Sequence, residues 1–594
     1  MKLEISFDDR HQEAIIIQEG IGAYEWNSFI RMLNDTTSGI AGGGNIVYLP
    51  WRGFLIAQGE VKKFVKNHKI ILSLSDDAKQ KLKEANTQSY TYALKQQMTT
   101  PEEIERKLSA KGFRRSLTKN QKNNLCKIAN YPAGATFSVP GAGKTTEALA
   151  YYFLNADPDD RLLVVAPKNA FGAWDEQIEK CMPGEGPFIR LRGGEQAIEH
   201  KIADNPKYML ITYQQYYRVK KYIQEMLKRH PVYMFLDESH RIKGGWNIIS
   251  AEAILDVSYL PKKKLIMSGT PMPQSVRDLV PQFNFLYPEK RATEENVIDL
   301  IRPVSVRTTQ SQLGIPSINR SIVRLKMDPI QTEIYKTLRS ETKRQMALIP
   351  DLSRNFLRDM GKKIVKIMQF VSNPALLARD LEYAFDERIG ELLLHNNGPK
   401  IEYACQRAHE LASEGKKVII WSSYVENIEL ITARLSDLGA DYIHGQVDAG
   451  DEDESDTREW KIKEFHNNKD KWVLVANPAA ASEGISLHKV CQNAIYVDRS
   501  FNAAQFLQSE DRIHRLGLKR DQHPVEEILE CEGTIDEIIR QRLDFKVTQM
   551  ARALDDPSLN VDAIPYDFEF SQSDDLNQGD VDALIKYFFG GDGI

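Results

Sequence analysis

Residues 138–146 read Ser-Val-Pro-Gly-Ala-Gly-Lys-Thr-Thr, between an apolar run and an amphipathic one. A glycine-rich turn joining a strand to a helix closes backbone N–H groups around phosphate, and the helix N-terminus adds partial positive charge. Gly141 and Gly143 supply the turn, Lys144 would reach the β- and γ-phosphates of a nucleotide, and the Thr145 hydroxyl would ligate magnesium, with Thr146 beside it. A second segment, Phe235-Leu236-Asp237-Glu238-Ser239-His240, reads as a strand ending in two acids. Asp237 would hold the magnesium ion and Glu238 would polarise an attacking water. A third, Gln508–Gly517, carries Arg512 and Arg515 three residues apart, on one face if helical. A planar guanidinium that keeps its charge suits a γ-phosphate. A charged surface helix with internal ion pairs is the competing reading of that segment.

These groups need a scaffold. From residue 113 to about 290, short apolar strands (Thr136–Val139, Leu162–Ala166, Met209–Thr212, Val232–Leu236, Leu265–Met267) alternate with amphipathic helices. That rhythm predicts a parallel sheet with helices on both faces. It returns over residues 398–550, with strands Val418–Trp421, Asp441–Ile443, Trp472–Ala476, Ala494–Val497 and Glu526–Glu530. Residues 291–397 between them read as a connector of long, basic helices, including Lys362, Lys363 and Lys366. Residues 1–97 mix strand-like and helical runs, as a small accessory α+β domain would, and 98–112 read as a linker followed by a helix. The expected fold is therefore α/β, with two tandem parallel-sheet lobes around a helical connector.

At 594 residues the chain is too long for one core. No apolar run approaches the roughly 20 residues of a membrane-spanning helix. Five cysteines without close pairs fit a reduced, cytoplasmic setting and no zinc site. The net charge is −5, but residues 555–594 carry ten acids and one lysine, which leaves the body at +4. A mildly basic body is compatible with nucleic acid. In the acidic tail (551–594), Tyr587, Phe588 and Phe589 stand as exposed aromatics, fitting a partner protein or a competitor for a basic track. A terminal helix docked on the body is the other reading. Asp451-Glu452-Asp453-Glu454 reads as a solvated loop.

The three chemical segments, in this order, resemble superfamily two ATPases, and the finer match is to the Swi/Snf-type family. Leu117-Thr118-Lys119-Asn120-Gln121 resembles its adenine-reading motif, with Gln121 the implied base contact. Val164–Lys168 followed by Trp174, and Leu210-Ile211-Thr212-Tyr213, resemble motifs Ia and Ib. Asp237–Lys243 resembles extended motif II, and Met267-Ser268-Gly269-Thr270-Pro271 resembles motif III. In the second lobe, Val418–Ser423, Ala479–Leu487 and Gly533–Glu537 resemble motif IV, motif V and the family's closing element. The sequence departs from the pattern at Ser138, Ser482, Glu483 and Leu518.

The resemblance covers roughly residues 113–550 and implies two RecA-like lobes, ATP with Mg2+, and movement along double-stranded or branched DNA. It implies phosphate contacts from Lys168, Thr212, Tyr213, Ser422, Ser423, Ser482 and Glu483, with His240, Ser268 and Thr270 coupling them to the nucleotide. For each hydroxyl, a helix cap or turn bond is the alternative. The expected activity is a DNA-stimulated ATPase and translocase acting in DNA remodelling, repair, replication-fork processing or defence. A motor subunit of a restriction complex, or a non-hydrolysing scaffold on the same fold, are the other readings. We expect a monomer from a bacterial cell or a virus, without a role on nucleosomes.

Overall fold

The computed structural model describes residues 1–37, 39–93, 99–273, 275–347, 354–378, 398–447, 455–478, 487–499, 509–515, 517–519, 521–554 and 587–588. It divides into two compact units, residues 1–272 with 276–308, and 273–275 with 309–594.

The first unit contains two sheets. Its N-terminal sheet has five strands in the order Ala41–Gly43, Ile46–Pro50, Glu13–Glu19, Lys2–Asp8 and Ile71–Leu74. All neighbours are antiparallel except the last pair. Helices Ala23–Thr36 and Trp51–Asn67 bury Trp26, Phe29, Trp51 and Phe54 with Leu3, Ile5 and Ile16 of the strands. Strand Lys2–Asp8 was not foreseen from the sequence. Arg52 ties this sheet to its neighbour: its Nε lies 2.9 Å from Asp256, and its guanidinium sits 4.4 Å from the Trp246 ring centroid.

The larger sheet has seven parallel strands in the order Ser305–Val306, Ala133–Thr136, Lys263–Met267, Val232–Asp237, Arg161–Val165, Tyr208–Ile211, Ile189–Arg190. Four of the five expected strands lie where the apolar runs put them. The fifth, expected at Thr136–Val139, lies at Ala133–Thr136. Its Ala-Gly-Ala start is too small to read as a strand. Phe137 and Val139, which do read so, donate their amides to Val306 O and Thr308 O instead. Residues 98–112 hold the expected helix: Thr100 caps Pro101–Ala110, whose Ile104 and Leu108 enter the core around this sheet.

The second unit holds six parallel strands in the order Asn319–Leu325, Val525–Cys531, Cys491–Tyr496, Lys417–Trp421, Val473–Ala476, Asp441–Ile443. Asn319–Leu325 corrects the reading of 291–397 as wholly helical. Its Arg320 and Arg324 disguise an edge strand, and Arg320 is paired inward with Glu510 and Glu526. Helices Pro329–Ala347 and Arg354–Ser372 do follow it.

The expectation of exposed tail aromatics is overturned for Tyr587 and Phe588, while Phe589 lies outside the described residues. Tyr587 and Phe588 are buried among Ile334, Tyr335, Leu338 and Ile538. The Tyr587 hydroxyl pairs with that of Tyr335, and Arg339 donates to the Tyr587 carbonyl at 2.9 Å. Helix Ile535–Leu554 extends four residues into the segment read as tail. Residues 555–586 and the loop 451–454 lie outside the described residues. All five cysteines are buried and unpaired. No helix among the described residues is long and apolar enough to cross a membrane.

Candidate nucleotide site

The phosphate loop runs from the end of strand Ala133–Thr136 to helix Lys144–Asn155. Gly141 and Gly143 have φ of 83° and 80°, which glycine adopts without steric cost. At Gly143 the requirement is doubled, because a Cβ there would lie 2.5 Å from Gln121 Nε2. Gln121 completes a capping box with Thr118, and its Nε2 donates to Ala142 O at 3.2 Å and Gly143 O at 3.1 Å. Its amide therefore supports the loop from behind, in addition to the adenine contact that the resemblance implies. Ser138 is buried, and its hydroxyl accepts from the Thr308 amide at 3.0 Å, tying the loop's first residue to the chain leaving the adjacent edge strand.

Lys144 donates its ammonium to Ser138 O at 2.9 Å, curled over the loop. Thr145 is half-buried beside it. Thr146 is not aimed at a ligand: its hydroxyl is buried and donates to Gln177 Oε1 at 3.0 Å. Glu147, one residue on, is buried and accepts from Asn124 at 2.9 Å. Burial pushes its carboxyl up to about 7.

Strand Val232–Asp237 is buried along its whole length and ends beside the loop. Asp237 accepts from Trp174 Nε1 at 2.9 Å, and its backbone carbonyl accepts from the Tyr213 hydroxyl at 2.7 Å. Burial, then the neighbouring Glu238 charge, raises the Asp237 carboxyl, and the Lys144 ammonium opposes that rise. Loop lysine and strand-end acid thus share one field. Glu238 has φ of 51°, uncommon for a residue with a side chain. That turn carries its Oε2 into the interior, where it accepts no hydrogen bond and lies 3.4 Å from His240 Nδ1. His240 Nδ1 meets Ser268 Oγ at 3.0 Å, and Ser268 Oγ accepts the Thr270 amide at 3.2 Å. Burial lowers His240 to about 3, so the imidazole is neutral. Glu238, His240, Ser268 and Thr270 form one polar chain. Gln282 braces it from below, accepting from Ser239 at 2.7 Å and donating to Pro271 O at 2.6 Å. The sequence held no local signal for Gln282.

Left-handed glycines, a lysine over the loop, a half-buried threonine and a buried carboxylate oxygen without a donor fit a magnesium-bound nucleoside triphosphate. Among the described residues no three His, Cys, Asp or Glu side chains form a metal cage, so such an ion would rest on Asp237, Thr145 and the phosphates themselves.

Residues 129–296 match the SNF2-related domain and residues 399–517 match the helicase conserved C-terminal domain. The chain thus carries an SNF2-related domain and a helicase C-terminal domain, and its homologues are Swi/Snf-type ATPases. Relatives include the "Probable chromatin-remodeling complex ATPase chain" of Oryza sativa subsp. japonica, 24% identical over 465 residues, covering 71% of this chain and 40% of that protein. The "ISWI chromatin-remodeling complex ATPase CHR11" of Arabidopsis thaliana is 24% identical over 492 residues, covering 75% and 44%. The "Probable global transactivator" of Orgyia pseudotsugata multicapsid polyhedrosis virus is 22% identical over 456 residues, covering 71% and 87%. The chain thus spans less than half the length of the two plant proteins. A solved Sulfolobus solfataricus SWI2/SNF2 ATPase core in complex with dsDNA aligns over 75% of this chain and 94% of that one, at 21% identity and a TM-score of 0.32.

The expected DNA-contact residues separate in the structure. Lys168 is exposed at the carboxyl end of strand Arg161–Val165. Thr212 caps helix Tyr213–Arg218, accepting the Gln215 amide at 3.2 Å. Tyr213 is withdrawn from DNA, since its hydroxyl is buried on Asp237. Ser422 is withdrawn likewise: it is fully buried, and its hydroxyl donates to Asp498 at 2.5 Å. The Ser423 amide donates to the same carboxylate at 2.7 Å. Asp498 also receives Ser372 at 2.9 Å, and nothing in its local sequence marks it as a hub. Ser482 and Glu483 lie outside the described residues.

In the second unit, residues 509–513 are helical and Arg515 lies beyond that helix. Arg512 and Arg515 therefore do not share a helical face as their spacing predicts. His514 between them reaches the Pro316 carbonyl at 2.5 Å, which turns the chain at that point. Arg512 is buried, with its carbonyl accepting the Leu487 amide at 2.8 Å, while Arg515 is half-buried.

Proposed function

We propose that this chain is an ATP-driven translocase on double-stranded DNA. The observation that carries the reading is the convergence of Lys144 with Asp237 and Glu238. The ammonium on the phosphate loop is close enough to act on the strand-end carboxylate. In this reading Gln121, Gly141, Gly143, Lys144 and Thr145 hold ATP, Thr145 and Asp237 hold Mg2+, and Glu238 orients water onto the γ-phosphate. Glu238 Oε2, buried without a donor, is suited to accept that water's proton. His240 is neutral, so it relays position rather than charge to Ser268 and Thr270. Arg512 and Arg515 are the residues that the resemblance assigns to the γ-phosphate, where a guanidinium that keeps its charge would stabilise the transferring group.

The DNA grip is expected on phosphates, and so salt-sensitive and indifferent to sequence. A relative's name that mentions chromatin remodelling describes that protein; for this chain the proposal is the motor alone. The test is ATP turnover with and without duplex DNA. Duplex should raise turnover at least about tenfold, and equal rates would remove the motor reading.

A further inference from the structure

We infer that Arg320, on the edge strand of the second unit's sheet, is the positioning residue for the segment that carries Arg512 and Arg515, and that it acts on ATP turnover through Glu510. This rests on the reading that those arginines serve the γ-phosphate, and it names the group that sets their place.

Strand Asn319–Leu325 is the edge of the six-stranded sheet, and its register sets Arg320 opposite Glu526 on the neighbouring strand Val525–Cys531. Arg320 Nε donates to Glu526 at 2.9 Å, and another arm of the guanidinium donates to Glu510. A planar fork holds two carboxylates in fixed directions at once, which a point-charge ammonium does not. Glu510 lies in the helical stretch 509–513, two residues before Arg512 and five before Arg515.

The segment is held at three further points. The Ser509 and Tyr496 hydroxyls meet at 3.0 Å, the Arg512 carbonyl accepts the Leu487 amide at 2.8 Å, and His514 reaches the Pro316 carbonyl at 2.5 Å. Pro316 and Arg320 belong to one short stretch of chain, so that stretch grips the segment at residues on either side of Arg512 in sequence.

Stability alone does not account for this arrangement. Glu510 and Glu526 are 2% and 0% exposed, and they share one guanidinium. Burial, then the Glu510 charge, raises the Glu526 carboxyl, and Arg320 opposes that rise. Among the described residues, Glu510 Oε2 and Glu526 Oε1 accept no hydrogen bond. Apolar side chains of similar volume would fill such a site at equal or lower cost, whereas a buried charged cluster fixes direction. Glu527, one residue on, shows the contrast. Two donors answer that single acid, Tyr403 at 2.9 Å and Arg407 at 2.8 Å, both from helix Pro399–Ser413.

The experiment is steady-state ATPase of the full chain with and without duplex DNA, beside a melting temperature for each variant. Arg320→Ala should lower kcat about tenfold or more and leave the KM for ATP within about twofold, because the lost placement matters in the transition state. Arg320→Lys keeps the charge and should recover part of the loss. Should Arg320→Ala fail to fold, Arg320→Met/Glu526→Gln decides the matter, since it leaves one buried acid without a cation rather than two; it should show the same fall in kcat. Arg407→Ala breaks the ion pair to Glu527 and should leave kcat at the wild-type value. In an Arg515→Ala background, Arg320→Ala should cost little beyond Arg515→Ala alone, because both act at one point. Wild-type kcat in a folded Arg320→Ala or Arg320→Met/Glu526→Gln variant overturns the positioning role, as do fully additive losses in the Arg515→Ala background or an equal loss in Arg407→Ala. In each of those cases an impaired Arg515→Ala leaves the γ-phosphate reading standing. If Arg515→Ala itself turns over at the wild-type rate, that reading falls and the positioning role with it.

Discussion

Individual side chains decide what the nucleotide site can do. Lys144→Ala removes the cation over the loop while leaving its backbone hydrogen bonds in place. It should reduce turnover at least about a hundredfold with a melting temperature near wild type. Steady-state ATPase assays beside a thermal melt check this, and retained turnover would refute the site assignment. Glu147 supplies a pH signature. Burial raises its carboxyl from 4.5 to about 7, so the folded state favours the protonated form. The stability this contributes is complete below pH 4.5 and is lost as pH rises through about 7, amounting to about 3 kcal/mol. Glu147→Gln keeps an acceptor for Asn124 and never ionises. Its melting temperature should therefore exceed that of wild type at pH 8 and approach it below pH 4.5. A wild-type melting curve that ignores pH across this window would contradict the assignment.

At the scale of elements, strand ends and caps place these groups, and several residues expected on the DNA track serve inside the fold. Tyr213 is the clearest instance. Its hydroxyl supports the Asp237 carbonyl, so Tyr213→Phe should cost about 1–2 kcal/mol of stability with DNA affinity unchanged. A loss of affinity at constant stability would return Tyr213 to the DNA surface. Arg515 presents a different case. It lies past the end of its helix and is half-buried, whereas Arg512 is buried within the helix. Arg515→Ala should lower turnover far more than ATP affinity, because a γ-phosphate cation acts chiefly in the transition state. Equal losses in both would assign it to ground-state binding alone.

For the whole molecule, the segments outside the family domains are built into the units. The N-terminal sheet is fastened to the first unit by Arg52 on Asp256 and Trp246, and Tyr92 donates to Leu300 O at 2.6 Å. The last described residues are part of a core in the second unit. Phe588 is 1% exposed there, so Phe588→Ala should cost about 3–5 kcal/mol. A denaturant midpoint unmoved by that substitution would show the C-terminal contact to be dispensable.

The sequence by itself determined the residue pattern of the candidate nucleotide site and the alternation of strands and helices. Phosphate chemistry needs a few residue types at fixed short spacing, and a buried parallel strand needs a continuous apolar run; both are local properties. Gly141-Ala142-Gly143-Lys144 and Phe235–Glu238 were legible for that reason. Only the tertiary structure decided which polar groups face inward. Tyr213, Ser422 and Thr146 look like ligand contacts in sequence, yet each hydroxyl is used by a partner 24, 76 or 31 residues away. The edge strand at Asn319 was hidden by its arginines, one of which, Arg320, meets acidic partners about 200 residues on. Tyr587 and Phe588 became core residues through contacts 252 positions back. Burial and pairing are settled by what the chain meets on folding, and no window of neighbouring residues contains that information.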